Sequence, residues 1–174
     1  MDERSRLEVA RRNLFQTHFE IPSICGLFDP PRNARVLEVG CGQGVALPGI
    51  ARRLQPSELV GLDCDAELLA LAQKNAGHVA RLVEADARAM PFADASFDVV
   101  FDFGTYYHCD DPEQVLAEIL RVLAPGGMLI GEARLSQLIS HPTVFRQTGR
   151  RSYSGEPRVR LARHGVLWLS LIRA

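Results

Sequence analysis

This 174-residue chain has only four cysteines, Cys25, Cys41, Cys64 and Cys109, with no CxxC pair and no Cys/His ligand spacing among them. That spacing excludes a zinc signature and the cysteine cluster of iron–sulfur radical enzymes, and no metal is expected. No apolar run approaches the roughly 20 residues that a membrane helix needs, and the opening MDERSRLEVARR has no apolar signal core. Free thiols in a cytoplasmic protein are therefore the expectation. Charge of one sign is also missing: 20 Lys and Arg face 21 Asp and Glu, a net charge of −1, so the whole-chain charge demands no polyanionic partner. With 47% hydrophobic and 24% charged residues, the chain reads as one ordinary globular domain over 1–174. No internal repeat or low-complexity tract interrupts it.

What the sequence does have is VLEVGCGQG, residues 36–44, followed by GLD at residues 61–63. A β-branched and leucine run enters a sheet, glycines alternate at Gly40, Gly42 and Gly44, and a helix pattern, ALPGIARRL, begins at once. Glycines let the backbone turn sharply and approach a ligand, and the unpaired N–H groups of a helix start favour a carboxylate or phosphate. Asp63, closing the next strand, is placed to accept from both hydroxyls of a ribose. The ligand so described has an anionic end and a sugar. The spacing is G-x-G-x-G rather than the dinucleotide G-x-G-x-x-G, and Glu38 two residues before the first glycine suits an ammonium better than a pyrophosphate. S-adenosylmethionine carries that ammonium beside its carboxylate.

At this point the chain resembles the class I S-adenosylmethionine-dependent methyltransferases, whose first motif is E/D-x-G-x-G-x-G. Two later segments match in order: EADARAMPFADASFDVV at 84–100, and DPEQVLAEILRVLAPGGMLI at 111–130 with its P-G-G turn. The resemblance covers roughly 34–132. It implies that Glu38 and the Gly40, Cys41, Gly42 and Gly44 loop surround the methionine moiety, with the Phe103 carbonyl on the ammonium. It implies Asp63 on the ribose, Asp86 on the adenine amino group, the Ala87 amide on a ring nitrogen, and Cys64 and Met90 flanking the ring. As bare residues, Asp63 and Asp86 also read as solvated acids at strand ends, but both fall at matched motif positions, which favours the cofactor roles.

Methyl transfer from a sulfonium needs in-line orientation, and a hydroxyl acceptor also benefits from a base. His108, in FGTYYHCDDP after the fourth strand, is the candidate base, with a helix-capping or packing histidine as the bland alternative. Tyr106 and Tyr107 are candidates for an aromatic wall on the substrate, or for ordinary core and rim. The N-P-P-Y sequence of amino-methyltransferases is absent. Asp102, Asp110 and Asp111 form a conceivable magnesium set, although Asp111 before Pro112 reads better as a helix cap.

Alternation of elements predicts a doubly wound, mostly parallel α/β sheet of seven strands with a C-terminal antiparallel hairpin turning at His164-Gly165. Strands are expected at 35–39, 59–63, 80–84, 97–103 and 128–132, with helices at 45–54, 66–75 and 112–123. An amphipathic helix over 3–19, ended by the Pro22 and Pro30-Pro31 breaks, is the expected lid within an N-terminal segment 1–30. Residues 133–174 hold a short helix near 135–140 and the hairpin. The expected activity is methyl transfer to a small molecule, leaving S-adenosylhomocysteine. Alternatives are an RNA or protein methyltransferase docked on Arg146, Arg150, Arg151, Arg158, Arg160 and Arg163, a catalytically silent cofactor-binding module, and, more weakly, a nicotinamide dehydrogenase. Nucleic acid and membrane partners are not expected, and monomer and homodimer stay open.

Overall fold

The computed structural model describes residues 13–134, 158–161 and 166–173. Five strands, β1 (Arg35–Val39), β2 (Glu58–Asp63), β3 (Arg81–Glu84), β4 (Phe97–Asp102) and β5 (Leu123–Arg134), pair in parallel in the order β3-β2-β1-β4-β5. The central strand β1 is buried on both faces, as a crossover sheet requires: Val36, Leu37 and Val39 are fully enclosed. Each such side chain contributes about 1.5–3 kcal/mol on leaving water. The alternation of β1 divides the core in two. Val36, Val99, Phe101 and Ile130 join Ile21, Leu47, Ile50 and Leu69 on one face. Leu37, Val39, Val100 and Leu129 join Val115, Leu116 and Ile119 on the other.

The helices of the first face are α1 (Ile21–Phe28), α2 (Leu47–Leu54) and α3 (Ala66–Ala76), while α4 (Pro112–Val122) covers the second. Pro48 sits in the first turn of α2, where its missing N–H costs nothing. Asp65 caps α3 by accepting from the Glu67 and Leu68 amides, and Asp111 caps α4 by accepting from Gln114. Strand five differs from expectation at its start: pairing with β4 begins at Leu123, and the P-G-G turn is absorbed as a register shift between Phe97 and Val99.

Of the N-terminal helix, residues 3–12 lie outside the described residues. Of its two expected breaks Pro22 is corrected: the helix continues through it to Phe28 and stops only before Pro30-Pro31. A π-turn, Gln16–Glu20, precedes the proline, and the Ile21 N–H reaches back five residues to the Gln16 carbonyl. Widening the ladder there relieves the clash that a proline ring makes with the carbonyl four residues before it. The chain leaves the helix at Asp29, in the left-handed region at φ 50°, just before Pro30-Pro31.

Two further described segments are registered antiparallel beyond β5: β7 (Val166–Ile172) on β5, and β6 (Arg158–Leu161) on β7. The expected turn at His164-Gly165, the short helix near 135–140, and Arg146, Arg150, Arg151 and Arg163 lie outside the described residues. Among the described residues no helix is long and apolar enough to cross a membrane.

Candidate functional site

The order of strands reverses between β1 and β4, and in a doubly wound sheet that is where the carboxyl ends of the strands open a crevice. A cleft of about 500 Å³ lies there, lined by Gly40, Gly42, Asp63, Cys64, Asp86 and Ala87 from one side and by Phe103, Gly104, Thr105 and His108 from the other.

The glycine loop has three distinct local causes. Gly40 (φ +66°) lies under Thr105, where a Cβ would overlap the Thr105 hydroxyl, itself a donor to the Val39 carbonyl at 3.0 Å. Gly42 (φ +52°) lines the cleft, and apart from its chain neighbours no protein atom lies within 4 Å of where its Cβ would be. Gly44 (φ +73°) is pressed on α3, its missing Cβ 3.1 Å from the Ala72 side chain and 3.2 Å from that of Ala76. Asp63 ties loop to strand, its carboxylate accepting the Gly42 amide at 2.7 Å and the Asp65 amide at 3.0 Å.

Glu38 is not a lining residue. It is buried beneath the loop, and its Oε2 has no hydrogen-bond partner. Burial, with Asp102 and Asp63 adding to it, pushes its carboxyl well above the usual carboxylate range. Cys41 is likewise buried under the loop, where loss of solvent holds its thiol up. Cys25 is buried and raised to about 11, so Cys64, exposed, and Cys109, half-buried, are the cysteines that face the cleft.

Asp86 faces the cleft already engaged. Arg88 clasps its carboxylate through Nε and Nη2, at 3.0 Å and 2.6 Å, and its own amide donates to Oδ1 at 2.8 Å. That clasp holds the Asp86 carboxyl down to about 2. The Asp86–Asp94 segment is held from behind by Arg121, which donates to the Met90 and Phe92 carbonyls and pairs with Glu118 and Asp94. Met90 is part of the core rather than a cleft residue, its amide donating to Glu118 at 2.8 Å.

At the end of β4, Asp102 is 2% exposed and accepts three successive amides, Gly104 at 2.7 Å, Thr105 at 2.6 Å and Tyr106 at 3.2 Å. Asp102 is occupied by backbone and Asp111 by its helix cap, and among the described residues no group of three acids, histidines or cysteines is arranged for a metal. His108, exposed on a 3-10 turn (Tyr106–His108), faces the cleft. Tyr106 does not; it packs on the α4 face of the core and lines a separate small cavity with Asp102, Leu116 and Leu129. The Tyr107 side chain lies outside the described residues. Sequence reasoning assigned no role in the site to Arg88, Thr105 or Asp102. No motif announces an Arg two residues after the strand-end acid.

Residues 37–131, more than half of the chain, match the family described as "Methyltransferase domain". The chain belongs to that family. Its relatives include the demethylmenaquinone methyltransferase of Thermus thermophilus, 38% identical over 55% of this chain and 45% of that protein. Another is the malonyl-[acyl-carrier protein] O-methyltransferase of Enterobacter lignolyticus, 41% identical over 56% of this chain and 38% of that protein. The chain spans less than half the length of these relatives. A solved S-adenosylmethionine-dependent methyltransferase from Aquifex aeolicus superposes with a TM-score of 0.77 at 16% identity, covering 100% of both chains, which establishes a common fold. S-adenosylmethionine is the cofactor of this methyltransferase family, and the cleft fits it on its own evidence. It offers an open glycine cradle at Gly42 and an acid at the end of β2, and behind its lining the buried Glu38 carboxyl has an oxygen without a hydrogen-bond partner.

Proposed function

We propose that this methyltransferase domain transfers the methyl group of S-adenosylmethionine to a small-molecule acceptor by direct displacement. The observation that carries the reading is the cleft at the reversal of strand order, with an open glycine at one end and strand-end acids at the other. The amides of the 40–44 loop, with the Glu38 carboxyl buried behind them, serve the methionine end, and the Phe103 carbonyl meets the ammonium. Asp63 takes the ribose hydroxyls with the lone pairs left after its two backbone contacts. Asp86 and the Ala87 amide read the adenine, beside Cys64. When bound, the cofactor supplies an electrophilic methyl on a sulfonium, which the acceptor's lone pair takes while the sulfur keeps the electrons of the broken bond as S-adenosylhomocysteine. The chain's own contribution is orientation and exclusion of water, with His108 on the cleft rim accepting a proton where the acceptor is a hydroxyl.

The relatives named for demethylmenaquinone and for malonyl-[acyl-carrier protein] support an acceptor that is a metabolite rather than a nucleic acid. Residues 1–174 form one domain on this reading, with 34–132 as the cofactor core and the two C-terminal segments completing a seven-stranded sheet closed by a hairpin. The four cysteines, all free, suit a reducing, cytoplasmic compartment. Calorimetric titration with S-adenosylhomocysteine, with NAD as control, tests the reading. Micromolar binding of the former alone, weakened at least tenfold by Asp63→Ala, is expected. Binding of NAD alone, or an unchanged affinity in Asp63→Ala, refutes it.

A further inference from the structure

The residues that face the amino-acid end of the cleft from β4 do not hold themselves in place. Phe103, Gly104 and Thr105 all line the cleft, yet they belong to a tight turn that leaves the sheet after Asp102, and Gly104 takes φ +107° to make it. Every amide from Gly104 to Tyr106 points back to the Asp102 carboxylate, two on Oδ1 and one on Oδ2. Three converging N–H groups satisfy a carboxylate that burial otherwise penalises, and a neutral side chain of the same length does not reproduce the set, since an amide nitrogen there would meet an N–H donor.

The turn is tethered a second time. Thr105 donates to the Val39 carbonyl across the space that Gly40 leaves by lacking a Cβ, so β4's turn and the glycine loop are locked to one another. On the other side Gly131 comes so close that a Cβ would stand 2.7 Å from the Asp102 carbonyl oxygen, which leaves the strand end no lateral freedom. Asp102 itself is 2% exposed and does not line the cleft, so it acts on a ligand only through the turn.

We infer that Asp102 is a positioning residue for the cofactor's amino-acid end: its carboxylate fixes the 103–106 turn so that the Phe103 carbonyl and the face of Thr105 meet the ammonium side of the ligand. This rests on the cofactor reading above and deepens it. Asp102 makes no contact with adenine or ribose, whose acids stand on β2 and after β3. Its removal weakens ligands according to whether they carry the amino-acid moiety.

The test compares S-adenosylhomocysteine with 5′-methylthioadenosine, which keeps the adenosine and loses the amino acid, by calorimetry on the full chain and on Asp102→Asn. The expected result is a loss of about tenfold or more for S-adenosylhomocysteine, the size of one hydrogen bond to a charged group, with 5′-methylthioadenosine within about twofold of wild type. If Asp102→Asn is not recovered folded, Asp102→Ser and Thr105→Val carry the same comparison, since each loosens the same turn. Equal weakening of both ligands, or no weakening of either, overturns the inference. Wild-type protein that binds neither ligand overturns the cofactor reading and this inference with it, an outcome separate from the first two.

Discussion

Replacing each loop glycine by alanine separates three physical costs that the sequence presents as one motif. Gly42→Ala places a side chain at φ +52°, a left-handed conformation costing about 1–2 kcal/mol, and beyond its chain neighbours meets no protein atom within 4 Å. For a domain of this size that is a fall in Tm of about 2–8 °C. The added methyl stands in the cleft, so S-adenosylhomocysteine affinity falls about tenfold or more, some 1.4 kcal/mol per factor of ten. Gly44→Ala carries the same backbone cost at φ +73° and also drives a methyl to within 3.1–3.3 Å of Ala72 and Ala76, adding about 1–3 kcal/mol of overpacking. It is the less stable of the two variants, while its affinity, measured well below its Tm, changes less. In Gly40→Ala the clash is with Thr105, so Thr105→Ala in the same chain restores part of the lost stability, a coupling that a double-mutant cycle reads directly. Urea unfolding and calorimetric titration on wild type, the three glycine variants, Thr105→Ala and the double variant are the assays. Wild-type affinity in Gly42→Ala, or a Gly44→Ala protein as stable as Gly42→Ala, refutes the assignment of ligand space to one glycine and helix contact to the other.

Glu38→Gln, which keeps the shape and removes the ionisable group held high by burial, is expected to melt at or above wild type and to bind S-adenosylhomocysteine more weakly. A lower Tm with unchanged affinity would contradict this. His108→Ala is expected to lose turnover on a hydroxyl acceptor while cofactor affinity stays within about twofold; unaltered turnover refutes the base role. Burial raises Asp102 to about 6 against an unfolded value near 3.8, so the folded state binds the extra proton, and stability contributed by this group is present at low pH and lost as pH rises from about 4 to 6. Asp102→Asn is expected to flatten the stability–pH curve across that window, by an amount of order 2–3 kcal/mol, and an unchanged slope in urea unfolding refutes it.

The strands and helices of the core were legible because each carries a local cause visible in the chain. Near-continuous apolar runs mark strands buried on both faces, Asp65 and Asp111 announce helix starts, and Pro48 stands where only a first turn accepts it. The glycine loop and Asp63 were legible because close backbone approach and a strand-end acid leave few substitutes. Other features depend on partners distant in sequence. Asp102 carries no legible role until the turn folds back on it. Thr105 has no meaning until β4 lies beside β1, and Tyr106 reads as a site aromatic until the turn directs it to the α4 face. Pro22 misled because a proline reads as a stop, whereas a π-turn upstream accommodates it.

The contact of Gly44 with Ala72 and Ala76 bears on any attempt to diversify this pocket. How deep the loop sits is set by the two smallest side chains on the facing surface of α3, which never touch the cleft. Enlarging either one raises the floor of the pocket without altering its lining. A directed-evolution library that randomises lining positions alone therefore leaves pocket depth unexplored, and positions 44, 72 and 76 need to be varied together as a single design variable.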